Sequence, residues 1–183
     1  LNFSLLTTGK SLKLKNGTYP GIYTVDISGV DTSNRIHVSA ENFLQATLDG
    51  EGLGGNVLTL NGSFIDVSGL ILRKTWATRE TTEINTQGCP IIGTDGEMAG
   101  AGLDDKGDNN RVYHNIIHDC LGDGISSFQQ AEDSEYYGNL IFNNGWWAPR
   151  VLGESALGNG HGIYTQNAAP STKTVEANLF INA

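Results

Sequence analysis

The stretch Asp104-Asp105-Lys106-Gly107-Asp108 sets three carboxylates beside one amine, and Asp123, His161 and Tyr164 add a carboxylate, an imidazole and a phenol further along the chain. These are groups that move protons. Lysine acts as a base where burial disfavours its ammonium form, and histidine or tyrosine can hand a proton to a leaving oxygen. Asp104, Asp105 and Asp108 could also supply oxygen ligands to Ca²⁺, although their spacing is not that of an EF-hand loop. Ser126, Phe128, Gln166, Arg150 and Trp147 are the candidate ligand-binding side chains. Rings of this kind stack on flat apolar faces, and the hydroxyl, amide and guanidinium groups bond polar ones. No His/Cys set has zinc spacing, no Gly-rich turn leads from a strand into a helix, and no G-x-S-x-G elbow occurs. A nucleotide cofactor is therefore not expected.

What must position these groups is short and β-like. No segment of ten residues carries a helical apolar stripe free of Gly, Pro or β-branched interruption. Instead, aliphatic runs at Ser11 to Leu14, Ile36 to Val38, Val57 to Leu60, Ile65 to Leu72 and Val112 to Ile117 alternate with Gly, Asn and Asp clusters. An internal repeat organises them. Asn115-Ile116-Ile117, Asn139-Leu140-Ile141 and Asn178-Leu179-Phe180 recur at displacements of 24 and 39 residues. Gly124-Ile125 and Gly162-Ile163 are displaced by 38, with Gly102-Leu103 as an earlier copy, and Ser68 to Ile71 falls where another Asn-Leu-Ile element belongs. Copies of this length stack as a solenoid, so like residues lie over like residues and the asparagines form an internal ladder. Trp76 to Ala99 and Trp146 to Asn159 break the period and are expected to be loop insertions.

Alignment on Gly-Ile yields columns. Ala101, Asp123 and His161 share one, Leu103, Ile125 and Ile163 form a core column, and Asp104, Ser126 and Tyr164 point outward. Lys106, Phe128 and Gln166 point outward again two residues later. Of the remaining histidines, His118 is expected to pack, His114 to sit exposed in a turn, and His37 to stand without partners.

Composition narrows the class. Lys and Arg number 11 against 20 Asp and Glu, a net charge of −9, which leaves no diffuse positive field for nucleic acid. No apolar run is long enough for a helix to span a bilayer. Residues 1–183 read as one domain. Cys89 and Cys120 allow either one disulfide or two thiols. Leu1 in place of Met suggests trimming, and the repeat stops before the Gly-Ile strand that should follow Asn182. The open end is thus expected to meet either further chain or another chain end to end.

The segments Asn115 to Ile125, Gly160 to Asn167 and Lys15 to Tyr19 resemble right-handed parallel β-helix repeat proteins of the pectate-lyase-like superfamily. The resemblance implies an all-β, right-handed parallel β-helix of about six or seven turns with two loop insertions. It also implies an extracellular or cell-surface protein whose partner is a polysaccharide. The leading expectation is a lyase that cleaves an acidic polysaccharide by β-elimination. Such a reaction needs a base for the proton beside the uronate carboxyl, a cation or metal on that carboxyl, and an acid for the leaving oxygen. Lys106 is the expected base, as lyases on this fold use Lys or Arg; His161 or Tyr164 is the expected acid, with Asp104 and Asp123 beside them. A galacturonan-type hydrolase is a further alternative, because Asp104-Asp105 and Gly160-His161-Gly162 match its elements by type. A non-catalytic glycan-binding module and a structural solenoid of a surface fibre are the others.

Overall fold

Every predicted apolar run contains strand, and two of them, Ile65 to Leu72 and Val112 to Ile117, each divide into two strands that belong to different sheets. The computed structural model describes residues 3, 6–53, 55–74, 100–148 and 157–181, and no α-helix occurs among them. The first coil consists of β1 (Ser11–Leu14), β2 (Gly17–Pro20) and β3 (Tyr23–Val25), and the second of β4 (Ile36–Ala40), β5 (Ala46–Asp49) and β6 (Leu58–Leu60). The third holds β7 (Ile65–Ser68), β8 (Leu70–Arg73) and β9 (Leu103–Asp105), and the fourth β10 (Arg111–Tyr113), β11 (Ile116–His118) and β12 (Ile125–Ser127). In the fifth, β13 (Glu135–Tyr137) and β14 (Leu140–Phe142) are followed by an antiparallel pair, β15 (Trp146–Ala148) with β16 (Leu157–Asn159), before β17 (Ile163–Thr165) completes the turn. Finally, β18 (Thr174–Glu176) and β19 (Leu179–Ile181) continue into a sixth coil.

The coils stack into three parallel sheets. The first sheet runs β1-β4-β7-β10-β13-β18, the second β2-β5-β8-β11-β14-β19, and the third β3-β6-β9-β12-β17. This is a parallel β-helix. The β15–β16 hairpin lies where the second insertion was expected, while the first, Trp76 to Ala99, lies outside the described residues together with Cys89.

Period-2 alternation puts one residue in two into the core. Val38, Val67, Val112 and Tyr136 form one buried column, Leu48, Leu72, Ile117 and Ile141 a second, and Leu58, Leu103 and Ile125 a third. Each aliphatic side chain so buried stabilises the fold by about 1.5–3 kcal/mol before entropy is counted. Val175 and Phe180 continue two of these columns in the last described coil and are exposed there.

The asparagine ladder is present. Asn139 Nδ2 donates to Asn178 Oδ1 at 2.9 Å and Asn115 Nδ2 to Asn139 Oδ1 at 3.2 Å, with Asn115 Oδ1 in turn accepting the Leu70 N–H at 3.0 Å. The ladder stops at Leu70, which fills the asparagine position in the third coil, since Ile116 pairs with Ile71. The residue before each rung, Gly69, His114, Gly138 or Ala177, takes a left-handed backbone with φ between 52° and 67°. That conformation turns the chain sharply from the first sheet to the second; glycine adopts it freely, and His114 and Ala177 adopt it under the constraint of the stack.

The other histidines divide. His118 stacks on Phe142 at 4.8 Å and 1°, and His114 is exposed in its turn, as expected. His37, expected to lack partners, instead has Nδ1 3.2 Å from Asp66 Oδ2, because β4 and β7 are neighbours and register sets the two residues side by side.

Candidate active site

The outward side of the third sheet brings together Asp104, Lys106, Asp123, Ser126, Phe128, His161, Tyr164 and Gln166 of the predicted residues. Register pairs Ser126 with both Asp104 and Tyr164, so the column deduced from Gly-Ile alignment is the one the strands form. Lys106, Phe128 and Gln166 are exposed beyond it. Lys173, for which the sequence carries no signal, ties the strand ends together. Its ammonium donates to the carbonyls of Ser127, Phe128 and Gln166 at 3.0, 2.6 and 2.5 Å, and burial draws its pKa below the usual lysine value.

At the other end of the strands lies the feature with the most chemistry. Asp123 Oδ1 accepts the His161 backbone N–H at 2.8 Å and lies 2.9 Å from His161 Nδ1, while Asp123 Oδ2 accepts the Ser126 hydroxyl at 2.7 Å. A carboxylate against Nδ1 selects the tautomer with the proton there, leaving Nε2 as a proton acceptor. His161 is 54% exposed, so that nitrogen is open to a ligand. Its ring lies 5.3 Å from that of Tyr164, which lies 5.3 Å from Phe128. Gln166 Nε2 donates to the Tyr164 oxygen at 2.6 Å, directing the phenolic hydrogen elsewhere. An imidazole oriented by a carboxylate, a phenol and a phenyl ring thus occupy one surface. Both oxygens of Asp123 are bonded, Oδ1 to His161 and Oδ2 to the Ser126 hydroxyl.

Asp104 differs. It is 7% exposed; its Oδ2 accepts from Asn56 Nδ2 at 2.8 Å and pairs with Lys106 Nζ at 3.2 Å, whereas Oδ1 is buried without a hydrogen-bond partner. Lys106 is 45% exposed and paired with a carboxylate, so the burial that its role as a base requires is missing. Asn56 was not foreseen. It lies two residues before Leu58, the place Asp123 holds before Ile125, and its Oδ1 accepts the Ala101 N–H at 2.8 Å. Extending the Gly-Ile alignment back to Val57-Leu58 would have found it.

The three aspartates do not fit a Ca²⁺ site. Asp105 follows Asp104 in β9 and so points the other way, into the core, where it is fully buried and accepts from Tyr136 at 2.6 Å and Asn110 Nδ2 at 2.7 Å. Asp108 lies in the next turn with Oδ1 accepting the Glu132 N–H at 3.0 Å. Among the described residues no group of three His, Cys, Asp or Glu side chains could hold a metal ion. The same reversal separates Asp104 from Asp105 as a hydrolase pair. Arg150 lies outside the described residues, and of Trp147 only the backbone is described.

Burial pushes the Asp105 carboxyl up from 3.8 to about 6, against the lowering effect of the Tyr136, Asn110 and Ser134 hydrogen bonds. The folded state therefore holds this proton where the unfolded chain has released it. The contribution to stability is whole below the ordinary carboxylate pKa and is lost as pH rises through about 6. At about 1.4 kcal/mol per unit the loss approaches roughly 3 kcal/mol. Asp105→Asn, which keeps the shape without the charge, is expected to unfold at higher urea than the parent at mildly alkaline pH and at the same urea in acid.

No protein-family model matches the chain, and no curated protein matches it. Among solved structures it is similar to the alginate lyase from Paenibacillus sp. str. FPU-7, with a TM-score of 0.66 at 16% identity, over 97% of this chain and 53% of that one. The likeness is one of fold. The chain spans about half the length of that protein.

Proposed function

We propose that this chain carries the catalytic surface of a polysaccharide lyase that cleaves an acidic polysaccharide by β-elimination outside the cell. The observation that carries the reading is His161, oriented by Asp123 and set beside Tyr164 on the outward face of the third sheet. The lyase fold of the structural neighbour supports it.

In this mechanism His161 Nε2 takes the proton from the carbon beside the uronate carboxylate. The released electron pair forms the carbon–carbon double bond, the bond to the glycosidic oxygen breaks, and Tyr164 gives that oxygen its proton. Phe128 offers a ring face to a pyranose. Lys106, exposed two coils from Tyr164 along the stack, supplies positive charge to a carboxylate of the sugar chain. Its role thereby shifts from base to electrostatic partner.

The test is incubation with pectate, alginate and glycosaminoglycan polymers while following the ultraviolet absorbance of the unsaturated uronate. A rise with one of them is expected. Binding of a polymer with neither new absorbance nor new reducing ends would overturn the lyase reading and leave a glycan-binding module.

A further inference from the structure

The first sheet carries a second charged cluster on its outward surface that plays no part in the site above. Register places His37, Asp66 and Arg111 in one column, on three successive coils. Asp66 is 1% exposed, and everything around it donates. Arg35 Nε reaches Oδ1 at 2.5 Å, Arg111 Nε and Nη2 reach Oδ1 and Oδ2 at 2.8 and 2.5 Å, and His37 Nδ1 lies 3.2 Å from Oδ2. Burial opposes ionisation of Asp66, but the hydrogen bonds and charges of Arg111 and Arg35 outweigh it and hold the carboxyl below its usual value.

Asp66 holds two guanidiniums, and Glu135, paired with Arg111 on the next coil, is the other carboxylate of this column. Arg35 is buried and directs Nη2 to the carbonyls of Ile65 and Asn109. The donors of the cluster that reach the surface are those of Arg111 and His37, which are 34% and 44% exposed. Asp66 fixes both from behind, which removes much of the entropy cost of ordering them around a ligand.

Beside this column, Ser39, Ser68, Tyr113 and Tyr137 form the next outward one. Tyr113 and Tyr137 stack at 4.9 Å and 3°, a rigid aromatic ridge with hydroxyls next to the donors. Glu135 and Glu176 follow in the two columns toward the last coil and would repel an anion there. With Nε and one Nη2 hydrogen of Arg111 given to Asp66, the Nη1–Nη2 edge of the guanidinium is the one that matches a ligand carboxylate; the row of hydroxyls matches sugar hydroxyls, and the coil rise of ~4.8 Å is close to the length of one pyranose.

We propose that Arg111 and His37, held by Asp66, form a carboxylate-binding subsite for an anionic sugar chain on the first sheet, on a different face from the His161 site. The subsite binds and performs no chemistry, so it stands whether or not the chain is a lyase.

Trigalacturonate is the probe and maltotriose its neutral control, with the side-chain resonances of Arg111, His37 and His161 followed separately by NMR. Trigalacturonate is expected to shift the Arg111 Nε–H and His37 ring signals to a common saturation, and maltotriose to leave them in place. Arg111→Lys keeps a charge and leaves Asp66 paired with Arg35, yet loses the fork; it should weaken binding read at His37 by roughly tenfold. His37→Gln, which touches neither arginine, should weaken binding read at Arg111 by a smaller factor. Arg111 and His37 signals that stay still at saturating probe, an equal response to maltotriose, or unchanged affinity in both variants would each overturn the proposal. Movement at His161 alone would place sugar binding on the third sheet only.

Discussion

His161→Ala is expected to lower turnover in the proposed lyase reaction by about 10²–10⁴-fold, the usual worth of a positioned general base, with little change in sugar affinity. The expectation is this large because, among the described residues of this surface, His161 is the imidazole with a carboxylate on Nδ1 and a half-exposed ring. Asp123 has both oxygens bonded, Asp105 is in the core and Lys106 is paired with Asp104. The side chain is more than half exposed, so its removal leaves the core columns untouched and stability close to the parent's. Asp123→Asn tests the same idea from behind. The His161 backbone N–H holds the amide oxygen at the Oδ1 position and the NH₂ turns to the Ser126 hydroxyl, so the ring keeps its place and tautomer but loses the negative charge that stabilises the imidazolium formed on proton transfer. Turnover should fall in that variant by less than in His161→Ala. Tyr164→Phe removes one oxygen and keeps the ring beside Phe128, so it separates the acid from the stacking surface. Initial rates by ultraviolet absorbance, with affinity measured in parallel, distinguish these outcomes; full activity in His161→Ala would end the mechanism.

Asn139→Ala is expected to cost about 2–6 kcal/mol, enough to unfold a domain whose net stability is commonly about 5–15 kcal/mol or to bring it near that point. Asn139 Oδ1 accepts the Asn115 backbone N–H at 3.0 Å, and its Nδ2 donates to the Val112 carbonyl at 2.9 Å. Truncation leaves both backbone groups buried without partners, each at about 1–3 kcal/mol, and breaks the rungs to Asn115 and Asn178 as well. Asn139→Asp retains the acceptor and loses the donor, so it should fall between parent and alanine variant. Urea unfolding of the three proteins is the measurement. A change under about 0.5 kcal/mol, the scale of an ordinary surface substitution, would show that the ladder follows the stack without holding it.

Much of this architecture is legible in the residues. Asn-aliphatic and Gly-aliphatic pairs recur because each coil must turn at the same place and bury the same columns, so aligning them recovers the strand register, including the columns of Leu103 with Ile125 and Ser126 with Tyr164. Asp123 and His161, far apart in the chain, meet for the same reason, each two residues before an aligned isoleucine.

What the tertiary structure decided is which way a polar side chain points and which partner it finds. Asp104 and Asp105 look equivalent as letters, yet Asp105 is enclosed in the core against Tyr136 and Asn110, while Asp104, on the outward side of the strand, is itself covered by Asn56 and Lys106 and is 7% exposed. His37, Asp66 and Arg111 are separated by 29 and 45 residues, and no repeated motif links them. The turns and insertions between their strands differ in length, so chain distance carries no information about the column they share. Stacking alone brings them within hydrogen-bond reach. A buried carboxylate then holds the nearest donors, because leaving it unpaired would cost more free energy than ordering two arginines around it.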